Sequence, residues 1–380
     1  MMFPNAVRLF NIGGFEVRLD PSWFLIAGLV TWTLATQYFP SALPGQSGGA
    51  YLVLAVIAML GFFGSLLLHE LSHALVARRH NLRIRAITLF LFGGVAEIEA
   101  SPPSAKAEFL IAAAGPALSI TLGALLWICE HLLTQMGAAP ALSAVIGYVA
   151  LMNMIIAIFN LVPAFPLDGG RILRAALWAR HGDLLRATRT ASQAGVVFAF
   201  ALMGLGVMAV LQGGLAAGLW YVLIGVFVLS AARAAYQDQL IRATFAGKRV
   251  SDVMTRHPVS VSPEMTLEGF ERTVLSNSPI GFAPVVADGV LIGQIDRAMV
   301  QAIDPENRGN TLVGDVYAGL EDAATISPDC PVSDLLARIA ATGTRKFLVV
   351  DEHDLRGVVT LADLARHLHP GGTAQQAQLW

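Results

Sequence analysis

Charge is the property that this chain has least of. Only 14% of its 380 residues are charged and 55% are apolar, whereas about 25% of the residues of a soluble domain are charged. The deficit is uneven: residues 109–129 and 191–232 contain no Asp, Glu, Lys or Arg, and charges return at ordinary density only after about residue 250. Such long uncharged stretches exclude a chain that is soluble throughout, and they predict a membrane protein with a soluble C-terminal part.

Cysteine is also scarce, and so is any excess of positive charge. The two cysteines are Cys129, which lies in an apolar run, and Cys330, which lies in the soluble part. This distribution argues against a disulfide framework. The net charge of −2 gives no basis for a nucleic-acid partner, because nucleic-acid binding needs a clustered excess of basic residues.

Six apolar runs are each long enough to cross the roughly 30 Å hydrocarbon core of a bilayer. They lie near residues 22–40, 51–77, 107–132, 141–162, 191–211 and 214–235. The connections alternate between segments without Lys or Arg and segments with several. Because basic loops stay in the cytoplasm, we expect a multi-pass protein of the cell membrane, embedded in the lipid bilayer, with both termini cytoplasmic.

One connection, "IRAITLFLFGGVAEIE" after the second run, has a different pattern. It is rich in strand-forming residues, and Gly93 and Gly94 mark a turn, which predicts a short β-hairpin. The exposed edge of such a hairpin could pair with an extended peptide. An ordinary interfacial loop is the alternative.

The second apolar run contains "HELSH", residues 69–73. His69 and His73 lie one turn apart on the same helix face, where they can bind one metal ion and leave Glu70 beside it as a base. A chance match is the alternative. However, a charged side chain deep in a membrane helix costs at least about 2.5–3.5 kcal/mol and is usually functional.

A catalytic zinc ion has three protein ligands and a water, so two histidines are not sufficient. The other histidines fall in predicted loops, at a helix end or in the soluble part, which favours surface positions for His80, His131, His181, His257, His353, His367 and His369. A better candidate is Asp168 in "FNLVPAFPLDGGRI", where two prolines must end the fourth helix and two glycines permit close backbone approach. The alternative is a helix-boundary Asp paired with Arg171.

Together, "HELSH" and "NLVPAFPLDGG" resemble the site-2 protease family of intramembrane zinc metalloproteases. The segment "AAAGPALS", residues 112–119, also resembles a small-residue helix of that family. The resemblance implies one Zn²⁺ held by His69, His73 and Asp168, with Glu70 as the catalytic base. It also implies a role near the substrate carbonyl for Asn160, for which a helix-packing hydrogen bond is the alternative.

The resemblance further implies peptide hydrolysis within or near transmembrane segments of membrane-anchored regulatory proteins. Many family members carry a peptide-binding domain between the two motifs, and this sequence has no room for one. Small residues such as Gly115 and Ala117 on the third helix are expected to let helices pack closely or part.

The soluble part contains an internal repeat. "PVVADGVLIGQIDRAMV" is echoed by "FLVVDEHDLRGVVTLADLA", and each copy predicts strand, helix, two strands and a helix. This pattern resembles a tandem pair of cystathionine-β-synthase-type (CBS) domains. We predict a membrane protease domain at 1–240, a linker at 241–249, CBS domains at 250–310 and 311–370, and a tail at 371–380.

The CBS resemblance implies an adenine nucleotide (ATP, ADP or AMP) as a regulator, bound at Gly357, Thr360 and Asp363. Thr-x-x-Asp is also a helix capping box, so a structural role is the alternative. In the first copy Asp296 and Met299 occupy the corresponding positions, which leaves at most one intact nucleotide site. The pair could also mediate a homodimer.

The expected fold class is a polytopic α-helical membrane protein, with about six transmembrane helices and a small membrane-edge β-hairpin, followed by a cytoplasmic α+β CBS pair. The leading hypothesis is an intramembrane zinc metalloendopeptidase. A CBS-regulated metal transporter or channel is the alternative, and Glu70 argues against it because a transport site needs no base beside its ligands. An inactive binding scaffold is disfavoured because the expected catalytic residues are all present.

Overall fold

The computed structural model describes residues 6–98, 101–276, 281–321, 323–352 and 354–368. The predicted tail at 371–380 lies outside this part of the chain. The chain divides into two compact units, Met1–Gln239 and Leu240–Trp380.

Long helices dominate the first unit. Within its described residues the helices are α1 Ser22–Thr33, α2 Phe39–Ala42, α3 Gly48–Arg79, α4 Ala105–Gln135, α5 Pro140–Asn160, α6 Asp168–His181, α7 Leu184–Leu211 and α8 Leu215–Phe245. Five of these, α3, α4, α5, α7 and α8, are long and apolar enough to span a membrane. The last residues of α8 lie inside the segment that the sequence analysis treats as a linker.

The first predicted span, near 22–40, is helical but is not one regular α-helix. A π-helical turn, Leu34–Tyr38, joins α1 to α2. Pro40 has no N–H for the carbonyl of Thr36, so the regular α-helical pattern cannot continue through this point. Five of the six predicted spans are therefore uninterrupted helices, and the first is interrupted.

A four-stranded sheet accompanies the helices, with the order β1-β2-β3-β4. Its strands are β1 Val7–Ile12, β2 Phe15–Leu19, β3 Ile84–Phe90 and β4 Gly93–Ile98. β3 and β4 pair antiparallel, which confirms the predicted hairpin, and β2 pairs with β3 in parallel. The prediction that Gly93 and Gly94 form the turn was wrong. The turn is Leu91–Phe92, and the two glycines belong to β4, where Gly93 lies opposite Phe90.

The non-helical segment 161–167 separates α5 from α6, as its prolines require. The amide of Phe165 donates to the carbonyl of Ala191 in α7 at 3.3 Å. A Cβ on Gly169 or Gly170 would collide with the backbone of this segment. The expected close backbone approach is therefore confirmed, and it places Asp168 at the first turn of α6.

The second unit consists of two similar halves. Its described helices are α9 Val250–Val253, α10 Leu267–Phe270, α11 Arg297–Gln301, α12 Val332–Thr342 and α13 Leu361–Leu368, with a π-helical turn Glu271–Leu275 and 3₁₀ turns Pro305–Asn307 and Val313–Asp315. Its strands are β5 Thr255–Arg256, β6 Phe282–Ala287, β7 Val290–Asp296, β8 Ala318–Gly319, β9 Thr325–Ile326, β10 Lys346–Asp351 and β11 Asp354–Thr360.

The repeat predicted from sequence is visible in the strand register. The hairpin β6–β7 carries a bulge after Val285, and β10–β11 carries one after Val349. The halves also exchange short strands. β5, near the start of the first half, pairs with β11 of the second, and β8, near the start of the second half, pairs with β7 of the first. This exchange makes the two copies a single folded unit.

Candidate metal centre

Three side chains from distant parts of the first unit converge on one point. Nε2 of His69 and Nε2 of His73 each lie 3.1 Å from Oδ2 of Asp168, and the two nitrogens are 3.2 Å apart. The three residues are 1%, 3% and 7% exposed. In the described residues this is the cluster of three ligand-type side chains that could hold a metal ion.

The other ring nitrogens of the two histidines determine which atoms face this point. Nδ1 of His73 lies 2.6 Å from the carbonyl oxygen of Ile111, which can only accept a hydrogen bond. His73 therefore donates from Nδ1, and in the neutral ring its Nε2 carries a lone pair. Nδ1 of His69 lies 2.9 Å from Oγ of Ser119, a hydroxyl that can donate or accept, so this contact orients the ring without setting its tautomer. Contacts on the far side of the ring orient metal-binding histidines.

The donor set fits a zinc ion in both chemistry and size. Two imidazole nitrogens and a carboxylate oxygen are ligands of catalytic zinc, and donor atoms about 2.0–2.1 Å from a tetrahedral zinc ion lie about 3.3 Å from one another. Gly115 of α4 provides the necessary space. A Cβ at this position would overlap Nε2 of both His69 and His73, so a larger residue would fill the space between the ligands.

Asp168 is held from two sides. Its Oδ2 faces the histidines, and its Oδ1 lies 3.8 Å from Nη1 of Arg171, one turn further along α6. The pairing with Arg171 and the approach to the histidines were alternatives at the level of sequence. The structure contains both, because the two carboxylate oxygens point in different directions.

Glu70 lies next to this cluster on α3 and is half-buried. It is within electrostatic range of His69, His73 and Asp168. On its other side it packs against β4, because a Cβ on Gly94 would collide with Cγ and Cδ of Glu70. The carboxylate therefore lies between the three converging side chains and the edge strand of the sheet.

Asn160 is the last residue of α5 and is half-buried. Its side chain forms no hydrogen bond with a described residue, and neither of its two predicted roles is tested. A second asparagine, Asn153, was missed. It is fully buried, and its Nδ2 donates to Oγ of Ser65 at 2.9 Å, four residues before His69. A polar residue within the apolar run of α5 was the signal that could have identified it.

Small residues let α4 approach its neighbouring helices at two places. Gly115 packs against the imidazoles of α3, and a Cβ on Gly123 would lie close to the carbonyl of Ala150 in α5. Ala117 is exposed and points away from the cluster. The expectation that Ala117 contributes to close helix packing inside the protein was therefore wrong, because it lies on the opposite face of α4 from Gly115 and Ser119.

Comparisons with known proteins identify the family of this chain. The model of Peptidase family M50 matches residues 57–136 and 128–203. Rip3 of Mycobacterium tuberculosis, which is named a zinc metalloprotease, is 37% identical over 368 residues, covering 95% of this chain and 92% of the relative. The chain belongs to peptidase family M50. Zinc metalloprotease MJ0392 of Methanocaldococcus jannaschii is 28% identical over 362 residues, covering 95% of each chain.

Among solved structures, the site-2 protease from Methanocaldococcus jannaschii aligns with a TM-score of 0.43 and 27% identity, over 61% of this chain and 95% of that one. The family match and the names of the relatives confirm the predicted enzyme class, a zinc metalloprotease. The five long apolar helices agree with a membrane protein. The alternative of a metal transporter or channel was wrong, since relatives similar over nearly the whole chain are named zinc metalloproteases.

The soluble part of this M50 protease matches the CBS domain model at residues 250–300 and 313–370, so the predicted CBS resemblance is confirmed. Asp363 is 2% exposed. Its Oδ2 accepts from N and Oγ1 of Thr360 at 2.8 and 2.6 Å, and its Oδ1 accepts from Oγ1 of Thr255 at 3.0 Å and from Arg366. These four donors fill the roughly four lone-pair positions of a carboxylate.

The capping box suggested as the alternative for Thr360 and Asp363 is formed. The amide of Asp363 donates to Oγ1 of Thr360 at 3.2 Å while Oδ2 of Asp363 accepts from the amide of Thr360. The glycine at position 357 also has a structural explanation, since a Cβ there would collide with the carbonyl of Thr255 in β5. Gly293 is the equivalent glycine of the first half, and a Cβ there would collide with the carbonyl of Ala318 in β8. The first half lacks the nucleotide motif, so this glycine is needed for strand packing alone.

Proposed function

We propose that this protease hydrolyses peptide bonds within or near the transmembrane segments of membrane-anchored regulatory proteins. The observation that carries this proposal is the position of the three converging side chains. His69 and His73 are buried on α3, a helix long and apolar enough to span a membrane. Asp168 joins them from α6. A substrate that reaches such a site must itself lie within or beside the membrane.

In this proposal His69, His73 and Asp168 hold one Zn²⁺. When bound, zinc lowers the pKa of a water molecule toward 7 and polarises the substrate carbonyl. Glu70 accepts the proton from the attacking water and returns it to the leaving amine. Ile111 and Ser119 keep the imidazoles in the orientation that presents Nε2. Asn160 would lie near the substrate carbonyl at the end of α5.

The sheet suggests how an extended substrate could be held. β4 is an edge strand of the four-stranded sheet, and its Gly94 contacts the side chain of Glu70. A peptide added along β4 would form main-chain hydrogen bonds with it and would pass close to the catalytic base. A substrate helix must unwind to bind in this way, because a helix uses its carbonyls in internal hydrogen bonds.

The proposed topology places both termini, and therefore the CBS pair, in the cytoplasm. It follows from the basic residues in alternate connections and the positive-inside rule. The CBS pair is also proposed to bind an adenine nucleotide that regulates cleavage. Because the oxygens of Asp363 are fully used, ribose hydroxyls must replace existing donors. Arg366, whose side chain is 58% exposed, is the donor most easily displaced. A homodimer through the CBS domains stays a prediction.

Substrate trapping tests the proposed function. Cells carry either wild-type protease, Glu70→Gln, or the control Glu130→Gln on α4, and full-length membrane proteins are quantified by proteomics. We expect one or a few membrane-anchored proteins to accumulate with Glu70→Gln and not with the control. If cleavage products of every membrane-anchored protein are equally abundant in all three strains, the proposed substrate class is wrong.

A further inference from the structure

An ion pair that the proposed chemistry does not use lies between α4 and α6. Glu108 is fully buried, and the Arg174 side chain is 14% exposed. Nε of Arg174 donates to Oε1 of Glu108 at 2.6 Å, and Nη2 donates to the same oxygen. Removing two charges from water costs several kcal/mol per ion before their attraction is counted. A buried pair is therefore weak evidence for stability and calls for another explanation.

The two helices joined by this pair carry different parts of the candidate zinc site. Glu108 precedes Ile111, whose carbonyl binds Nδ1 of His73, by about one turn of α4. Gly115, whose Cα faces both imidazoles, lies two turns after Glu108 on the same buried stripe. The α4 end of the ion pair therefore belongs to the helix face that orients the histidines.

The α6 end of the pair is close to the third ligand. Arg174 is on the same short helix as Asp168, about 9 Å further along its axis at 1.5 Å per residue. The Arg174 guanidinium also covers the ring of Phe165 at 4.8 Å, and Phe165 belongs to the non-helical segment that leads to Asp168. Arg174 thus contacts both α4 and the segment that determines where α6 begins.

We propose that Glu108 and Arg174 are positioning residues for the zinc site, because their ion pair fixes α6 against α4 so that Oδ2 of Asp168 meets both histidines. Among the described residues, neither side chain forms a hydrogen bond or ion pair with His69, His73 or Asp168. Two donors of the rigid guanidinium fork of Arg174 meet the single oxygen Oε1 of Glu108, so the bond ties α6 to one point on α4. The inference rests on the proposed zinc ligands.

The expected consequence is a weaker and less regular metal site. Changes in groups that orient metal ligands typically reduce metal affinity by about 10- to 100-fold. Glu108→Gln and Arg174→Met should both show such a loss, and excess zinc should restore part of the cleavage rate. Arg174→Lys keeps the charge but not the fork, so it should rescue folding more fully than zinc affinity.

The test uses full-length protein in detergent. Zinc affinity is measured by competition with a chelator, and the visible spectrum of the cobalt-substituted protein reports the geometry of the site. Arg180→Met, an exposed arginine in the last turn of α6, is the control and should match wild type. If Glu108→Gln does not fold, the double variant Glu108→Leu with Arg174→Met replaces it, because this variant leaves no uncompensated buried charge.

Wild-type zinc affinity and an unchanged cobalt spectrum in a folded variant of the pair, even with a lowered melting temperature, would show a purely structural role and overturn the proposal. Asp168→Ala is measured alongside. Undiminished zinc in folded Asp168→Ala contradicts the ligand assignment itself and removes the basis of both proposals. Lost zinc in Asp168→Ala with unchanged affinity in the pair variants overturns only the positioning role.

Discussion

Nε2 of His69 and Nε2 of His73 lie 3.2 Å apart, and the planes of the two imidazole rings are nearly perpendicular. The carbonyl of Ile111 accepts a hydrogen bond from Nδ1–H of His73, so the Nε2 of a neutral His73 ring faces the cluster as an acceptor. Acceptors facing one another, with the carboxylate of Asp168 beside them, repel unless a cation or additional protons lie between them. This relationship is the observation behind the metal-binding role that we propose for the histidine pair.

Gly115→Ala is expected to remove zinc binding while leaving the fold intact. The added methyl group would lie against Nε2 of both histidines, and displacing catalytic groups by about 1 Å can reduce the rate about 100-fold. Zinc content and cleavage of a model transmembrane substrate are measured. Gly64→Ala on α3 is the matched control, because a Cβ there meets nothing within 4 Å. Full zinc content in Gly115→Ala would contradict the assigned metal position.

Ser119→Ala tests the orientation of His69. The hydroxyl lies 2.9 Å from Nδ1 of His69, and loss of such a partner reduces metal affinity by about 10- to 100-fold. Affinity is measured with a competing chelator. Thr121→Ala is the control, since its hydroxyl donates only to the carbonyl of Ala117 on the exposed side of α4. Equal affinities for the two variants would mean that Ser119 does not orient the ring.

The motif residues of the site were predictable from sequence, because each carries its own local signal. The spacing of "HELSH" places its histidines one turn apart by helix geometry alone. The prolines and glycines around Asp168 predict that the helix ends before this residue. Residues whose role depends on long-range contacts were not predictable. Ile111 acts through its backbone carbonyl and Ser119 through a hydroxyl that sequence cannot place. Glu108 and Arg174 meet only because α4 and α6 pack together.

In the fold, too, the features with a local sequence signal were predictable and the others were not. Long apolar runs and the hairpin β3–β4 follow from local composition. The strands β1 and β2 were missed, although β2 is mostly buried against β3. In β2 the apolar residues Phe15, Val17 and Leu19 alternate with Glu16 and Arg18, so the period of two that indicates a half-buried strand was present and was not used. The short helix α6 was also missed, because its charged sequence gives no membrane signal.

Acid pH should weaken the CBS pair through Asp296. Burial alone would raise the pKa of Asp296, but the amide of Met299 and the ammonium of Lys346 outweigh it and hold the pKa below its usual value. The stabilisation is therefore present above the pKa of an unfolded Asp, about 3.9, and is lost as the pH falls through the lower folded value. Lys346 lies 3.2 Å away in the other half.

Unfolding of this unit is followed by thermal denaturation of the full-length protein between about pH 5 and pH 3. The melting temperature should fall less steeply with acidification in Asp296→Asn than in wild type. Glu306→Gln, at an exposed position, should retain the wild-type slope. Identical slopes for wild type and Asp296→Asn would show that this carboxylate contributes nothing to acid sensitivity.

Nucleotide binding is tested by calorimetry of the full-length protein with ATP, ADP and AMP. Loss of the Asp363 carboxylate should weaken binding about 10- to 100-fold, the equivalent of roughly 1.5–3 kcal/mol for a hydrogen-bonded charged group. Arg366→Ala should not weaken binding in this way. In this account Arg366 gives up its hydrogen bond to Oδ1 of Asp363 when the nucleotide binds, so its loss removes no contact with the ligand. An absence of heat with every nucleotide at millimolar concentration would leave Thr360 and Asp363 as a helix cap alone.

The central claim is that Glu70 acts on a water at a zinc ion held by His69, His73 and Asp168. The most direct measurement combines zinc content with cleavage of a model transmembrane substrate for purified wild type, Glu70→Gln and Asp168→Ala. We predict one zinc per chain in wild type and in Glu70→Gln, with cleavage by Glu70→Gln reduced roughly 100- to 10,000-fold. Asp168→Ala should lose most of its zinc and all cleavage. Near-wild-type cleavage by Glu70→Gln, or undiminished zinc in folded Asp168→Ala, would contradict the account.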